Sequence, residues 1–550
     1  MEAPPCRFIP LGGLGEIGMN CMVVEIGDDR ILVDCGLSFD DRGLGVDVIH
    51  ADLTYVTDAP EKLRAIVLTH GHEDHLGAVP YLLRELSVPV YGPPYALALL
   101  EEKMAWDAPD IELDLHPIEP GDRVPFGPMS VEPYRVTHSM SDCTGLILRT
   151  PHGVVVHSGD FKIDEAPTDG AALDFDRLAQ VRDEEGGIRL FFSDSTNSVS
   201  EGSTGPEHAV RDRLEELVRE ADERVCVTLF ASNGHRLRSL AEVARKTGRK
   251  LCLLGRSLHL HAKIGQRLGH LPDLSDVQIP ASSAKSVPRG ELLVLATGTQ
   301  GEPRAAFSRL AKDEHPDLGL ESGDLVIHSA RVIPGHEQKV YGLINTLERR
   351  GIAVLWRRVE TGIHVSGHAH RDEQRRIIEH LAPRAFVPVH GTYLHLKNHA
   401  AIARECGVEE VEVVENGAVL SLGEKLTVDG RVPTGRVYRE RGKAVHPRTI
   451  KDRALLAELG IAFVTVIIDD AGRPAGPVDL LTRGVCHEED SEELLDDACD
   501  AVYEALMARR WHEDRPSAEL VESEARRSLK RFFSKRLRKK PLCYASVLRP

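Results

Sequence analysis

No stretch of this chain stays apolar for long. The longest near-apolar run, Ile461 to Ile468, falls far short of the ~20 residues a membrane-crossing helix needs, so no membrane partner is expected. The opening MEAPPCRFIP lacks a basic region leading into an apolar one, and no secretory leader is expected either. The ten cysteines include no C-x-x-C pair. That argues against a disulfide scaffold or a thiolate zinc site, and for reduced thiols in the cytoplasm. Aromatic residues make up only 5% of the chain, too few for an extended stacking surface. Repeats and low-complexity tracts are missing as well. What remains is 42% hydrophobic and 28% charged, a globular composition that excludes collagen-like, fibrous and wholly disordered classes. The 550 residues exceed one hydrophobic core and suggest roughly three to four domains.

Acids outnumber bases. The 68 Lys and Arg against 86 Asp and Glu leave a net charge of −18, which taken alone argues against a polyanionic partner. The distribution says otherwise. Cys226 to His270 carries nine basic residues against one acid, and Leu325 to Arg358 carries six against two. Acids gather elsewhere, with eight between Glu488 and Asp500. A basic segment in an acidic protein is a candidate polyanion track, with a solvated helix face as the plainer alternative.

The first 200 residues alternate short apolar runs with turns, at 31–34, 65–69, 131–136, 153–156 and 189–193. From about Pro206 the style changes to a helix over 206–222, a strand over 225–230, a helix over 234–247 and a strand over 250–254. Such βα alternation belongs to a parallel sheet. The first style returns near His364, with a strand over 385–389. One domain inserted into another is therefore expected, with 1–205 and 356–432 forming the outer domain and 206–355 the insertion. The turn-rich VDGRVPTGR stretch suggests a linker over 433–450. A small C-terminal α/β domain is expected over 451–550, closing with an acidic helix, a basic helix and a strand. Gly13-Leu-Gly-Glu-Ile-Gly18 matches G-x-G-x-x-G literally, but a dinucleotide site needs a helix to follow. Met19 to Ile26, then Gly-Asp-Asp and another apolar run, reads instead as a β-hairpin.

The strongest chemical signal is His70-Gly-His72-Glu-Asp74-His75, directly after the strand at 65–69 and before a helical run expected from Leu76. Four ligand-type side chains on one turn can converge, whereas along a regular helix they would fan out. Imidazole with carboxylate suits zinc, with manganese or iron as other candidates. His138, Asp160 and His390 each follow an apolar run, the same topological place.

With these residues the chain resembles the metallo-β-lactamase fold. The resemblance implies that His70, His72 and His138 hold one metal and Asp74, His75 and His390 a second, with Asp160 bridging. It makes Asp34 a residue that orients a ligand histidine. Two divalent ions beside two carboxylates keep a positive charge, which attracts a phosphodiester and activates water. Glyoxalases, lactamases and nucleases share such centres, so the substrate must come from other residues.

Ser193-Asp-Ser-Thr196, His364-Val-Ser-Gly-His-Ala-His370 and the basic insertion between them supply that choice. Asp194, His368 and His390 match the further motifs of the β-CASP nucleases. Phe8 to Asn20, Ala296-Thr-Gly-Thr-Gln-Gly-Glu-Pro303 and Arg331-Val-Ile-Pro-Gly-His-Glu337 resemble bacterial ribonuclease J, with Thr299 and His336 departing from the expected Ser and Asn. The resemblance implies an αββα domain interrupted by a β-CASP α/β domain. It further implies two zinc ions and a 5′→3′ exoribonuclease with added endonuclease activity, acting in the cytoplasm on messenger and ribosomal RNA. Whether Mn2+ or Mg2+ supplements zinc stays open.

In that frame Asp74 could take a proton from the attacking water, and His368 could donate one to the leaving oxygen. His364, Val365, Ser366, Gly367, His368 and Ala369 form a small-residue turn before a helix. Its backbone N–H groups are expected to face a terminal phosphate. A bulky residue at Ser366 or Gly367 is expected to erase the end preference and spare internal cleavage. Asn233, Arg236, Arg238, Arg256 and Lys263 are expected to track RNA phosphates. The run Arg526 to Lys540 holds nine basic residues, but Leu529, Phe532 and Phe533 favour a structural or dimer helix over an RNA contact. Single-stranded RNA and a homodimer or homotetramer are the expected associations, with other RNA-decay proteins left open. A DNA-processing relative, a non-catalytic RNA-binding scaffold and a small-ester hydrolase remain as alternatives.

Overall fold

The computed structural model describes residues 4–549 apart from 41, 171, 334, 487–490 and 512–514, so the start of the acidic run at Glu488 lies outside the described residues. The hairpin expected after Gly18 is present: Cys21–Ile26 turns back into Asp29–Val33, with Ile26 opposite Asp29. Asp29–Val33 then pairs in parallel with Leu63–Val67 inside an eight-stranded sheet. Successive side chains of these strands serve two different cores, as the period of two requires. Ile31, Val33, Ala65 and Val67 point one way, and Leu32 and Ile66 the other.

A seven-stranded sheet contains Met129–Arg135, Thr144–Thr150, Gly153–His157, Ile188–Asp194 and Ala385–Val389. Its Leu146, Val155 and Phe192 meet Phe8, Ile31 and Val67 of the first sheet in one buried core. Helices such as Pro94–Asp107 and Arg371–Leu381 bury apolar residues on the other side of the sheets. The result is the αββα sandwich.

Ile188–Asp194 and Ala385–Val389 are parallel neighbours, yet the chain between them builds a sheet of its own. Its six strands run from Val225–Thr228 to Ala353–Trp356 and pair in parallel throughout. Helices Glu207–Glu220 and Gly234–Thr247 pack in one of its cores, Ala306–Ala311 and Glu337–Arg349 in the other.

The chain divides into two compact units, one of 48–436 with the N-terminal segment, the other of 437–550 with 42–47. The segment expected as a linker carries structure: Arg436–Glu440 and Lys443–Val445 form a hairpin, and helix Pro447–Leu459 begins inside it. In the second unit Ile461–Ile468 lies between antiparallel Pro474–Arg483 and parallel Leu542–Leu548. Its Ala462, Val464 and Val466 pack with Val502, Leu506 and Phe533 of helices Ser491–Ala508 and Ala518–Arg536. Among the described residues no helix is long and apolar enough to cross a membrane.

Candidate metal centre

Every ligand-type residue lies just beyond a strand's C-terminal end. His70 follows Leu63–Val67, His138 follows Met129–Arg135, Asp160 follows Gly153–His157, and His390 directly follows Ala385–Val389. The helix after the histidine turn begins at Glu73 rather than Leu76, so Asp74 and His75 are helical. A single turn, Glu73–Leu76, is too short to splay them. Gly36 passes so close that a β-carbon there would sit 1.7 Å from the Asp74 carbonyl oxygen. Asp34 (φ 58) and His390 (φ 53) occupy the left-handed region, which Asp and His tolerate better than most residues. Strain of this kind persists where surrounding structure enforces it.

His70 Nε2 and His138 Nε2 each lie 3.1 Å from His72 Nδ1, and both are 3.8 Å from Asp160 Oδ2. On the other side Asp160 reaches His75 Nε2 at 3.2 Å and His390 Nδ1 at 2.9 Å. Asp74 Oδ2 is 3.4 Å from His390 Nε2 and 3.8 Å from His75 Nε2. Among the described residues three groups that could hold a metal share Asp160: His70, His72 and His138 with it, Asp74, His75 and His390 with it, and Asp194, His368 and His390 with it. The first two form the paired centre.

The donors fit a divalent ion. Burial drives His70 and His138 well below the ordinary imidazole range and His72 to about 4, so all three are neutral, as ligation requires. Burial also depresses His75 and His390, but Asp160 and the other carboxylates outweigh it, lifting His75 well above the usual range and His390 to about 10. A place where carboxylates hold protons on buried imidazoles is a place that favours a cation. His390 Nε2 is moreover buried without a hydrogen-bond partner, a loss that ligation would repair.

Around these candidate donors stand residues that orient them. Asp34 Oδ2 lies 2.8 Å from His75 Nδ1, and its carboxylate accepts from the Thr69 N–H and hydroxyl, both at 2.8 Å. Asp194 Oδ2 is 2.8 Å from His368 Nδ1, while its Oδ1 accepts from Thr196 N at 2.9 Å and Oγ1 at 2.6 Å. The His368 ring stands between His138 and His390, with centroids 4.8 and 5.5 Å away. Burial lowers its pKa, but Asp194 overrides that and raises it above the ordinary value.

The turn at 364–369 differs from its expected form. In the helix it precedes, Arg371–Leu381, the first two donors are engaged, Arg371 N–H by the Ser200 carbonyl and Asp372 N–H by the Gly202 carbonyl. His368 N–H bonds Ser366 Oγ, Ala369 N–H bonds the Phe161 carbonyl, and His370 N–H bonds the Glu373 carboxylate. Ala369 is itself fully buried. Ser366 Oγ already accepts from His368 N at 3.1 Å and Asn197 Nδ2 at 2.8 Å. A hydroxyl has one proton and two lone pairs, so its proton is left to donate outward. His364 Nδ1 also lacks a partner. Burial, then Arg236 and Arg357, hold His364 well below the usual range, which marks an electropositive surrounding. The Gly367 carbonyl lies 2.6 Å from His138 Nδ1. A β-carbon on Gly367 would fall 2.9 Å from His138 Cε1 and Nδ1, so a side chain there strikes the His138 ring rather than the turn alone.

Comparison with known proteins now decides the family. Residues 14–198 match the metallo-beta-lactamase superfamily, 222–347 the ribonuclease J beta-CASP domain, 351–414 the Zn-dependent metallo-hydrolase RNA specificity domain, and 448–549 the ribonuclease J C-terminal domain. Ribonuclease J of Synechocystis is 35% identical over 98% of this chain and 85% of its own length. Ribonuclease J 1 of Streptococcus pyogenes is 33% identical over 98% and 97%, and ribonuclease J2 of Bacillus subtilis 32% over 98% and 98%. The chain belongs to the ribonuclease J family. A solved Enterococcus faecalis structure of unknown function shares the fold, with a TM-score of 0.54 at 17% identity over 76% of this chain and all of its own. Membership in the ribonuclease J family makes this a metal-dependent ribonuclease.

Not every residue expected to meet RNA is available to it. Arg236 is wholly buried. Its guanidinium bonds Glu207, the Ser329 hydroxyl and the Ile363 carbonyl, so it ties the insertion together instead of tracking phosphates. Asn233 caps helix Gly234–Thr247, its side chain accepting from Arg236 N at 2.9 Å. Lys263 pairs with Glu102 at 2.6 Å, and Arg238 bonds the His270 carbonyl at 3.2 Å. Arg256 is exposed. Composition counts charges but cannot tell which are already neutralised. Asn197 was missed by sequence reasoning. It donates to Ser366 Oγ and the His368 carbonyl and accepts from Arg331 Nη1 at 2.7 Å. Its place directly after Asp194-Ser-Thr196 was the available signal.

Arg236→Ala is expected to cost about 3–5 kcal/mol of stability, because it strands the Glu207 carboxylate in the interior. Urea denaturation would measure it. Burial raises the Glu207 pKa, but Arg236 more than reverses this, leaving it lowered. The pair's contribution is thus complete above the unfolded carboxylate value and lost as pH falls through the folded one. The variant should show a flatter acid limb. An undiminished acid limb would mean that the pair contributes nothing.

Proposed function

We propose that this chain is a two-zinc 5′→3′ exoribonuclease that favours 5′-monophosphate ends and also cuts internally. The observation that carries this reading is the 2.6 Å contact between His138 Nδ1 and the Gly367 carbonyl. It anchors the phosphate-binding turn to a metal ligand, so an RNA end held there presents its first phosphodiester to the metals. Each cut would then release one nucleoside 5′-monophosphate.

Divalent ions at the two ligand groups supply Lewis acidity and a water of lowered pKa. The chain supplies the proton transfers. Burial alone would raise the Asp74 pKa, but His75 and His390 hold it well below the usual range, so the carboxylate is ionised. Its place at the centre, rather than its basicity, makes it the acceptor of the attacking water's proton. His368, protonated against Asp194, donates to the departing 3′-oxygen as the P–O bond breaks. Ser366 grips the terminal phosphate with its remaining hydroxyl proton, and His364 Nδ1–H can add a second bond. These side-chain donors act where the His368 and Ala369 N–H groups are already engaged.

The test is end-labelled RNA carrying 5′-monophosphate, 5′-triphosphate or 5′-hydroxyl, with products resolved by size. Processive release of mononucleotides from the monophosphate, and resistance of the triphosphate, are expected. Equal rates on those two ends would overturn the pocket. Ser366→Ala should lower the monophosphate preference by about 10- to 100-fold, the worth of a charged hydrogen bond, with internal cleavage kept. Matched RNA and DNA oligonucleotides separate this activity from DNA processing. We assign the physiological role to messenger RNA turnover and ribosomal RNA maturation in the cytoplasm, which ten free cysteines support. A dimer or tetramer is expected by light scattering.

A further inference from the structure

The basic residues of the insertion are largely engaged with carboxylates: Arg245 with Asp276 at 2.8 Å, Lys246 with Glu215 at 2.9 Å, Lys263 with Glu102 at 2.6 Å. The C-terminal helix Ala518–Arg536 is the opposite case. From Ala525 to Arg549 the sequence has ten Lys or Arg and no Asp or Glu. Arg526, Arg527, Lys530, Arg531, Lys535, Arg536, Arg538, Lys539 and Lys540 are all exposed. Only Arg527 and Arg536 meet carboxylates, Glu524 at 3.1 Å and Asp497 at 3.6 Å. Among the described residues the other seven have none.

Structural roles do not account for this face. The helix is anchored by Val521, Ala525, Leu529 and Phe533, spaced by four and fully buried. Favourable interaction with the helix dipole reaches only the last turn, and Arg526, Lys530 and Arg531 lie further back. Arg526 with Lys530, Arg527 with Arg531, and Arg531 with Lys535 are like-charge pairs at i,i+4, an arrangement that opposes the helix. A polyanion laid along the face would relieve it. Four residues advance about 6 Å along the axis, so Arg527, Arg531 and Lys535 form a row of cations along the exposed face rather than one spot, with Arg526 and Lys530 as a second pair beside it. The face has no exposed aromatic ring, since Phe533 is buried and Phe532 half-buried. Contacts there would be to backbone phosphates and not to bases.

We propose that the exposed basic face of Ala518–Arg536, continued by Arg538, Lys539 and Lys540, is a second, sequence-independent RNA-binding surface. It holds the body of a long RNA by its phosphates while the metal centre works on the end. The inference rests on RNA being the substrate.

The test compares the full-length metal-loaded enzyme with a variant carrying Arg526→Gln, Lys530→Gln, Arg531→Gln and Lys535→Gln, which keeps helix-forming residues. For a long unstructured RNA, KM is expected to rise by one to three orders of magnitude with kcat unchanged. The log–log salt dependence of kcat/KM should flatten by about 3 units, roughly 0.7 per lost phosphate contact. Turnover of a 5′-phosphorylated dinucleotide, which occupies the metal centre alone, should not change. Lys530→Arg with Lys535→Arg should behave as wild type. An unchanged KM and slope on long RNA would overturn the proposal. So would a parallel fall on the dinucleotide, which would mark a structural helix, or competition by polyglutamate as strong as by RNA, which would mark a site for acidic polypeptides. If the wild type hydrolyses neither substrate, the ribonuclease reading fails instead, and anisotropy of labelled long RNA on both proteins still tests the surface.

Discussion

Asp160→Ala is expected to abolish phosphodiester hydrolysis with the fold intact. Its carboxylate lies 2.9 to 3.9 Å from nitrogens of His390, His75, His70, His138 and His368, and it alone belongs to both four-residue ligand groups of the paired centre. Its loss leaves each group one donor short and removes one of the two carboxylates that offset the ions' charge. Lewis-acid stabilisation is worth several kcal/mol, so the rate should fall by about 10^3 or more at ~1.4 kcal/mol per decade. Asp160 sits on the loop after Gly153–His157, outside the hydrophobic clusters, and the fold should stand. Elemental analysis, thermal melting and turnover on one preparation would check all three points. About two metals per wild-type chain are expected, and fewer in the variant. Chelation of the wild type should reproduce the loss, and zinc should restore activity. A variant that keeps two metals and full activity would remove Asp160 from the bridging position.

Gly367→Val should have the second largest effect, on both modes of cleavage. Its β-carbon would come within 2.9 Å of the His138 ring and 3.0 Å of Ser139 Cβ. His138 has little room to yield, because its Nδ1 is held by the Gly367 carbonyl and its Nε2 faces His72. Disturbing a partner that orients a ligand typically costs 10- to 100-fold, and here the ligand itself must move. End-directed and internal rates should fall together, by about 10^2 or more. Ser366→Ala, one residue away, should change only the end preference. The two variants therefore separate the pocket from the metals. If Gly367→Val keeps normal internal cleavage, the close contact with His138 has no functional weight.

Much of this site could be read before any coordinate. His70, His72, Asp74 and His75 fall within six residues, so their convergence is a local matter that a strand ending in a turn nearly guarantees. His138, Asp160 and His390 were findable because each closes an apolar run. Ala369 was misjudged for the opposite reason. A turn before a helix suggests free N–H groups, but those of His368, Ala369 and His370 are taken by Ser366, Phe161 and Glu373, and Phe161 is far from them in the chain.

The sequence by itself determined the short apolar strands of the outer domain, the parallel inserted sheet and the seven ligand-type residues, while the αββα layering was only what the resemblance implied. Period-two alternation, βα alternation and position at a strand's end are properties of short segments, and short segments keep them in any fold that buries their apolar faces. Only the tertiary structure decided which distant side chains surround those residues. It set Gly367 against His138, recruited Asn197 to the turn, and took Arg236 inside while leaving Lys530 and Arg531 in solvent. Each of these depends on which distant side chain becomes a neighbour. A charge or a donor becomes available for function only when packing leaves it without a partner, and packing is not written in any one stretch of chain.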